Sequence, residues 1–187
     1  MCYEKKYTIA DYNRDCKEEN VKELAKFVYE RFSERYIKPF KKMNPDFKNG
    51  FCIMAIACLL IETLENFWQG KAETPQGKGT EYFESFFTRC TDIQNELAAF
   101  KGLNFYSQVR CGILHQGETK AGWTIRRAGP LLTKESKVIN ATKFLVHLSK
   151  YLKWYQEELV ISNFKNDEIW ENFRLKMEAI KNNCKSK

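Results

Sequence analysis

Proline and glycine are scarce in this chain, with four and nine among 187 residues. So few turn formers exclude a disordered segment and a turn-rich β sandwich. Long apolar runs are missing too. The longest, Phe51 to Ile61, covers 11 residues, against the ~20 that a membrane-crossing helix needs. Glu62 and Glu65 interrupt the apolar pattern just after it, so the segment reads as a buried core helix and no membrane partner is expected. The opening Met1-Cys2-Tyr3-Glu4-Lys5-Lys6 is polar from its fourth residue, so no secretory signal is expected. Histidine occurs only at His115 and His147, neither at zinc-ligand spacing from a cysteine pair, and there is no C-x-x-C. No metal site and no cofactor are expected.

Seven cysteines are present, but Cys2, Cys16, Cys52, Cys58, Cys90, Cys111 and Cys184 are scattered. Several fall inside apolar helical patterns, where a free thiol behaves as a small hydrophobe. That usage predicts a reducing, cytoplasmic compartment. Charge is unevenly distributed. Residues 1–119 carry 17 basic and 17 acidic side chains, whereas residues 120–187 carry 14 basic and 7 acidic, so the whole net charge of +7 lies in the C-terminal third. Two readings stand: attraction of a polyanion, or lysines dispersed over solvated helix faces.

The length fits one domain spanning residues 1–187, and the apolar periodicity is mostly helical. A helix is expected from about Asn20, a candidate N-cap, to Lys42, with Val21, Leu24, Phe27, Val28, Phe32, Tyr36 and Phe40 on one stripe. Pro39 should end or kink it, and Asn44-Pro45-Asp46 reads as a turn. A central helix follows over Phe47–Gln69, then shorter ones near Glu81–Cys90, Thr91–Phe100 and Asn104–His115. Gly117 is a stop signal for the last of these. Over Trp123–Ile139 the pattern alternates around Gly129-Pro130, which predicts a small β-hairpin insertion. Asn140 then caps a long helix, and a last one runs over Asp167–Asn182. The expected class is all-α, an antiparallel helical bundle with that insertion near 123–139.

The chemistry-bearing segment is Val109-Arg110-Cys111-Gly112-Ile113-Leu114-His115-Gln116-Gly117. An arginine in so apolar a helix needs a partner or a solvated cleft, and an imidazole is the usual proton carrier near neutral pH. On a straight helix a five-residue step turns by about 140°, so Arg110 and His115 share a face only if the helix frays. Gly112 reads as such an interruption. The pair suits phosphate chemistry, with a guanidinium fork on two oxygens and an imidazole moving a proton. The alternative for His115 is a helix-terminal imidazole facing free carbonyls.

The string from Arg110 to Thr119, an Arg-x4-His pair near the end of an apolar helix, resembles the HEPN superfamily (higher eukaryote and prokaryote nucleotide-binding domains), in particular uncharacterised bacterial members. Gly122-Trp123-Thr124-Ile125 and Asn140-Ala141 are similar as well. The resemblance implies an up-and-down helical bundle that pairs as a homodimer and brings two such motifs into one cleft. It further implies a metal-independent endoribonuclease of a toxin–antitoxin or antiviral defence system, or a nucleotide binder that accompanies a nucleotidyltransferase; a cognate antitoxin is another implied partner. On that reading Arg110 holds the scissile phosphate of RNA, and His115 is the general acid or base that leaves a 2′,3′-cyclic phosphate.

Active members often carry a polar residue after the arginine. Cys111 stands here instead and is a poor hydrogen-bonding substitute, which keeps open a non-catalytic nucleotide or RNA binder, or a helical dimerisation module. Glu62 and Glu65 are candidate orienters of Arg110, or else solvated helix-end carboxylates. Tyr106, Gln116 and Glu118 are candidates to line the cleft. Lys120, Arg126 and Arg127 are placed to track an RNA backbone, and Trp123 either stacks on a base or packs on the bundle. His147 reads as a packed or surface histidine.

Overall fold

The computed structural model describes residues 7–41 and 47–185, so Lys42 and the turn expected at Asn44-Pro45-Asp46 lie outside the described residues. The chain is mostly helical with a small three-stranded sheet. Helix α1 (Ile9–Lys17) is opened by a capping box in which Thr8 and Asp11 exchange side-chain and backbone hydrogen bonds. Helix α2 (Val21–Phe32) follows; Asn20 occupies its N-cap position without a side-chain capping bond. A π turn over Ser33–Ile37 leads into the short α3 (Lys38–Lys41). The turn is closed by the Lys38 N–H donating to the Ser33 carbonyl, five residues back. Widening the helix just ahead of Pro39, which lacks an N–H, carries the chain through where a break was expected. It also shifts the buried face: Ile37 is fully buried while Tyr36 is only half-buried.

Helix α4 (Gly50–Trp68) is the core of the molecule. It is the one described helix long and apolar enough to cross a membrane by composition, yet Ile53, Met54, Ala57, Leu60, Ile61 and Leu64 are buried inside the fold. Those side chains meet α5 (Gly79–Asp92), α7 (Ala141–Ile161) and α8 (Glu168–Lys185), and α2 packs on α7. An aromatic seam joins α5 to the segments after it. Phe83 stacks on Phe105 with ring centres 5.7 Å apart, and Phe105 stacks on Phe144 of α7 at 5.5 Å. The helix expected over Thr91–Phe100 is instead one 3₁₀ segment, Glu96–Phe100, because Gln94 turns left-handed and Asn95 caps a new start through Leu97. The buried apolar side chains form one contiguous cluster.

The inserted region is a sheet of order β1-β3-β2, with β1 Thr124–Arg126, β2 Leu132–Thr133 and β3 Val138–Asn140. The expected hairpin accounts only for β2 and β3, which are antiparallel; β1 lies parallel to β3 on its other edge, Ile125 opposite Ile139. The sequence alternation marked the strands but carries no signal for parallel pairing. Asn140 ends β3 and caps α7, its side chain accepting the Lys143 N–H at 3.0 Å.

Candidate functional site

Arg110 sits at the end of a second π turn, Tyr106–Arg110, which runs directly into α6 (Cys111–Gln116). The Cys111 N–H donates to the Tyr106 carbonyl across five residues. This widened turn sets the Tyr106 ring 5.2 Å from the Arg110 guanidinium carbon. Burial raises the Tyr106 hydroxyl above its ordinary range, and the Arg110 charge opposes that shift. Space for that ring comes from Gly79 at the start of α5, where a methyl group would overlap the phenol.

Across from this turn, Glu62 of α4 grips Arg110 with both oxygens: Nε donates to Oε1 at 2.6 Å and Nη2 to Oε2 at 3.3 Å. Both side chains are 17% exposed, so the pair is shielded but reachable. Burial opposes the charge on Arg110, while the hydrogen bonds and charge of Glu62 hold the guanidinium above its ordinary range. Behind it, Cys58 is fully enclosed, and burial first, then the Glu62 charge, pushes its thiol far up. Cys58 is therefore an inert packing group.

Gly112 does not interrupt the helix, contrary to expectation. α6 runs straight through it, and the missing side chain lets the Glu118–Lys120 backbone cross directly above: a Cβ would overlap the Glu118 carbonyl. That return is fixed by the left-handed Gly117 (φ +65°) at the helix end. It is also held by Gln108, whose carbonyl accepts the Lys120 N–H at 2.8 Å and whose side chain accepts the Trp123 indole N–H at 2.7 Å. Trp123 is thus buried against the bundle rather than open for base stacking.

His115 is exposed in the last turn of α6, with Gln116 and Glu118 exposed beyond it. With α6 unbroken, the rotation of about 140° stands, and a single copy does not bring His115 and Arg110 together on one face. Leu114, one turn from Arg110, is 58% exposed, and Leu59, one turn before Glu62 on α4, is 47% exposed. Cys52, Ala55, Ile56 and Leu59 recur three or four residues apart along α4, none of them buried. An apolar stripe therefore leads up to the Arg110–Glu62 pair.

The remaining expected residues divide. Arg126 is exposed on β1 and Lys120 is half-buried in the return loop. Arg127 is tied inward, Nε to the Thr142 hydroxyl at 3.2 Å and Nη1 to the Phe47 carbonyl at 3.2 Å, which anchors the sheet to the start of α4 and to α7. Glu65 does not orient Arg110. It is fully buried and paired with Arg89 of α5 at 2.8 and 3.1 Å. Arg89 also donates to the Tyr151 hydroxyl at 2.8 Å and stacks 4.2 Å over Trp68. Sequence reasoning missed Arg89, although a charge on the Tyr82, Phe86 stripe was a signal of a buried ion pair. His147 is buried on α7, its Nε2 3.2 Å from Glu96. Among the described residues no three His, Cys, Asp or Glu side chains converge as a metal site, and the cysteines there are free thiols.

Compared with family models, with curated proteins and with solved structures, the chain has no match.

Proposed function

We propose that the chain is a HEPN-like, metal-independent endoribonuclease that works as a homodimer, with Arg110 and His115 as its catalytic residues. The observation that carries this reading is the Arg110–Glu62 pair, shielded yet reachable, at the end of an apolar stripe, with the exposed His115 five residues further along the chain. A shielded guanidinium fixed through Nε and one Nη keeps a further Nη group for a phosphate oxygen. His115 is exposed and, among the described residues, makes no side-chain hydrogen bond or ion pair. Because His115 and Arg110 diverge within one copy, the reading needs a second copy docked on Cys52, Ile56, Leu59 and Leu114, so that the pairs face one another. The ribose 2′-oxygen then attacks phosphorus, the 5′-oxygen leaves, and His115 moves the proton. Exposed Arg126 and half-buried Lys120 would meet the flanking phosphates.

A second reading, RNA or nucleotide binding without cleavage, is favoured by two observations. Glu62 already neutralises Arg110, and the half-buried Cys111 thiol stands where a polar group would serve catalysis. Digestion of RNA by wild type, His115→Ala and Arg110→Ala, with and without a chelator, separates the two. The nuclease reading expects cleavage that survives chelation and is lost in both variants. Cleavage persisting in the variants overturns it, and binding without products selects the second reading.

A further inference from the structure

Helix α5 opens with Gly79 and carries Phe83 one turn later, so the two share a face. Tyr106 lies in the notch they make. Its ring centre is 5.4 Å from that of Phe83, and a methyl group at position 79 would overlap the phenol. The same ring carries the Arg110 guanidinium, whose carbon lies 5.2 Å over its centre. With its hydroxyl raised by burial, Tyr106 stays protonated at neutral pH and is no proton acceptor. What it offers Arg110 is the ring.

The fold holds a second arginine in the same way, and the two differ in what they leave free. Arg89 stacks 4.2 Å over Trp68 and pairs with Glu65, but its Nη1 also donates to Tyr151 and its Nη2 to Ser85. Both its Nη groups are occupied, as a buried charge requires. Arg110 lies over Tyr106 and pairs with Glu62 through Nε and Nη2; among the described residues its Nη1 makes no hydrogen bond. One arginine is a saturated core brace. The other is clamped with a donor to spare.

We propose that Tyr106, seated between Gly79 and Phe83, is a positioning residue for Arg110. Its ring and the Glu62 carboxylate together fix the guanidinium and leave Nη1 as the donor for a single phosphate oxygen. Phosphate as that ligand rests on the nuclease reading, whereas the clamp is a property of the free chain. A donor fixed before the substrate arrives needs no ordering when charge builds up on the phosphate. Loss of the ring should therefore appear in kcat more than in KM.

The test pairs nitrogen NMR of the arginine side chains with RNA cleavage kinetics on the full chain. Wild type, Tyr106→Phe and Tyr106→Leu are compared, each checked for folding by a thermal melt. In wild type the Arg110 Nη groups should rotate slowly enough to give separate signals. Tyr106→Phe, which keeps the ring, should match it. Tyr106→Leu should speed the rotation about fivefold and lower kcat about tenfold, with KM within about twofold of wild type. An averaged Nη signal in wild type overturns the clamp even if Tyr106→Leu fails to fold. Wild-type rotation in folded Tyr106→Leu, or a loss in Tyr106→Phe as large as in Tyr106→Leu, overturns it as well. Absence of cleavage by wild type removes the nuclease reading alone, because the rotation rates decide the clamp without RNA.

Discussion

At the residue scale, the two arginine–glutamate pairs differ in depth, and their energetics should differ accordingly. Arg89 and Glu65 are 8% and 0% exposed. Removing either partner strands a buried charge, so Arg89→Ala or Glu65→Ala should cost about 3–5 kcal/mol in urea unfolding. The Arg110–Glu62 pair is partly solvated, and Glu62→Gln, which keeps shape but removes charge, should cost about 1–2 kcal/mol. His115→Ala, at an exposed site, should stay within about 0.5 kcal/mol, so a loss of activity there would report chemistry and not folding. His147 offers a pH signature. Burial, which outweighs the nearby Glu96, lowers its pKa below the ordinary 6.5, and Lys150 and Lys143 add to the shift. A depressed folded-state pKa favours the neutral imidazole, so stability is full above pH 6.5 and falls as pH drops through the lowered value. Urea midpoints between pH 7 and pH 5 should decline less in His147→Gln than in wild type.

At the element scale, the sequence was most legible where the chemistry is local. Gly117 stops α6, Asn140 caps α7, and the apolar run of α4 marks the central helix, each through a signal within a few residues. The π turns were not legible, since a five-residue hydrogen bond leaves the apolar period nearly unchanged while turning Ile37, Arg35 and Arg110 to new directions. Glu65 was misassigned because its partner lies on another helix, 24 residues away. Gly112 was misread for a related reason: the backbone that crosses it belongs to a later loop, so its role is close approach and not helix breaking. Gly112→Ala should therefore destabilise by about 1–3 kcal/mol through overpacking, although alanine is ordinarily the better helix former. A thermal melt showing Gly112→Ala equal to or above wild type would contradict that close contact.

At the scale of the whole molecule, the aromatic core explains how a chain with few turn formers holds the ten other helical segments and three strands of the described residues in place around α4, and why the Arg110 turn is backed by Phe83, Phe105 and Gly79. What the fold leaves open is the stripe of Cys52, Ile56 and Leu59, continued by Leu114. If that stripe meets its copy, Leu59→Lys or Leu114→Lys should shift the molar mass by light scattering from dimer to monomer without lowering the helix signal. Both variants should lose any nuclease activity together with the dimer. The resemblance in the Arg110–Thr119 string supplied the reaction, and the geometry adds what that reaction would require: a second copy, because His115 and Arg110 diverge within one. Mass spectrometry of RNA fragments released by the wild-type protein in the presence of a chelator reads out the proposed cleavage. A homodimeric nuclease with His115 as its proton carrier should release fragments ending in 2′,3′-cyclic phosphate that disappear with folded His115→Ala; intact RNA, or the same fragments from that variant, would overturn the nuclease reading.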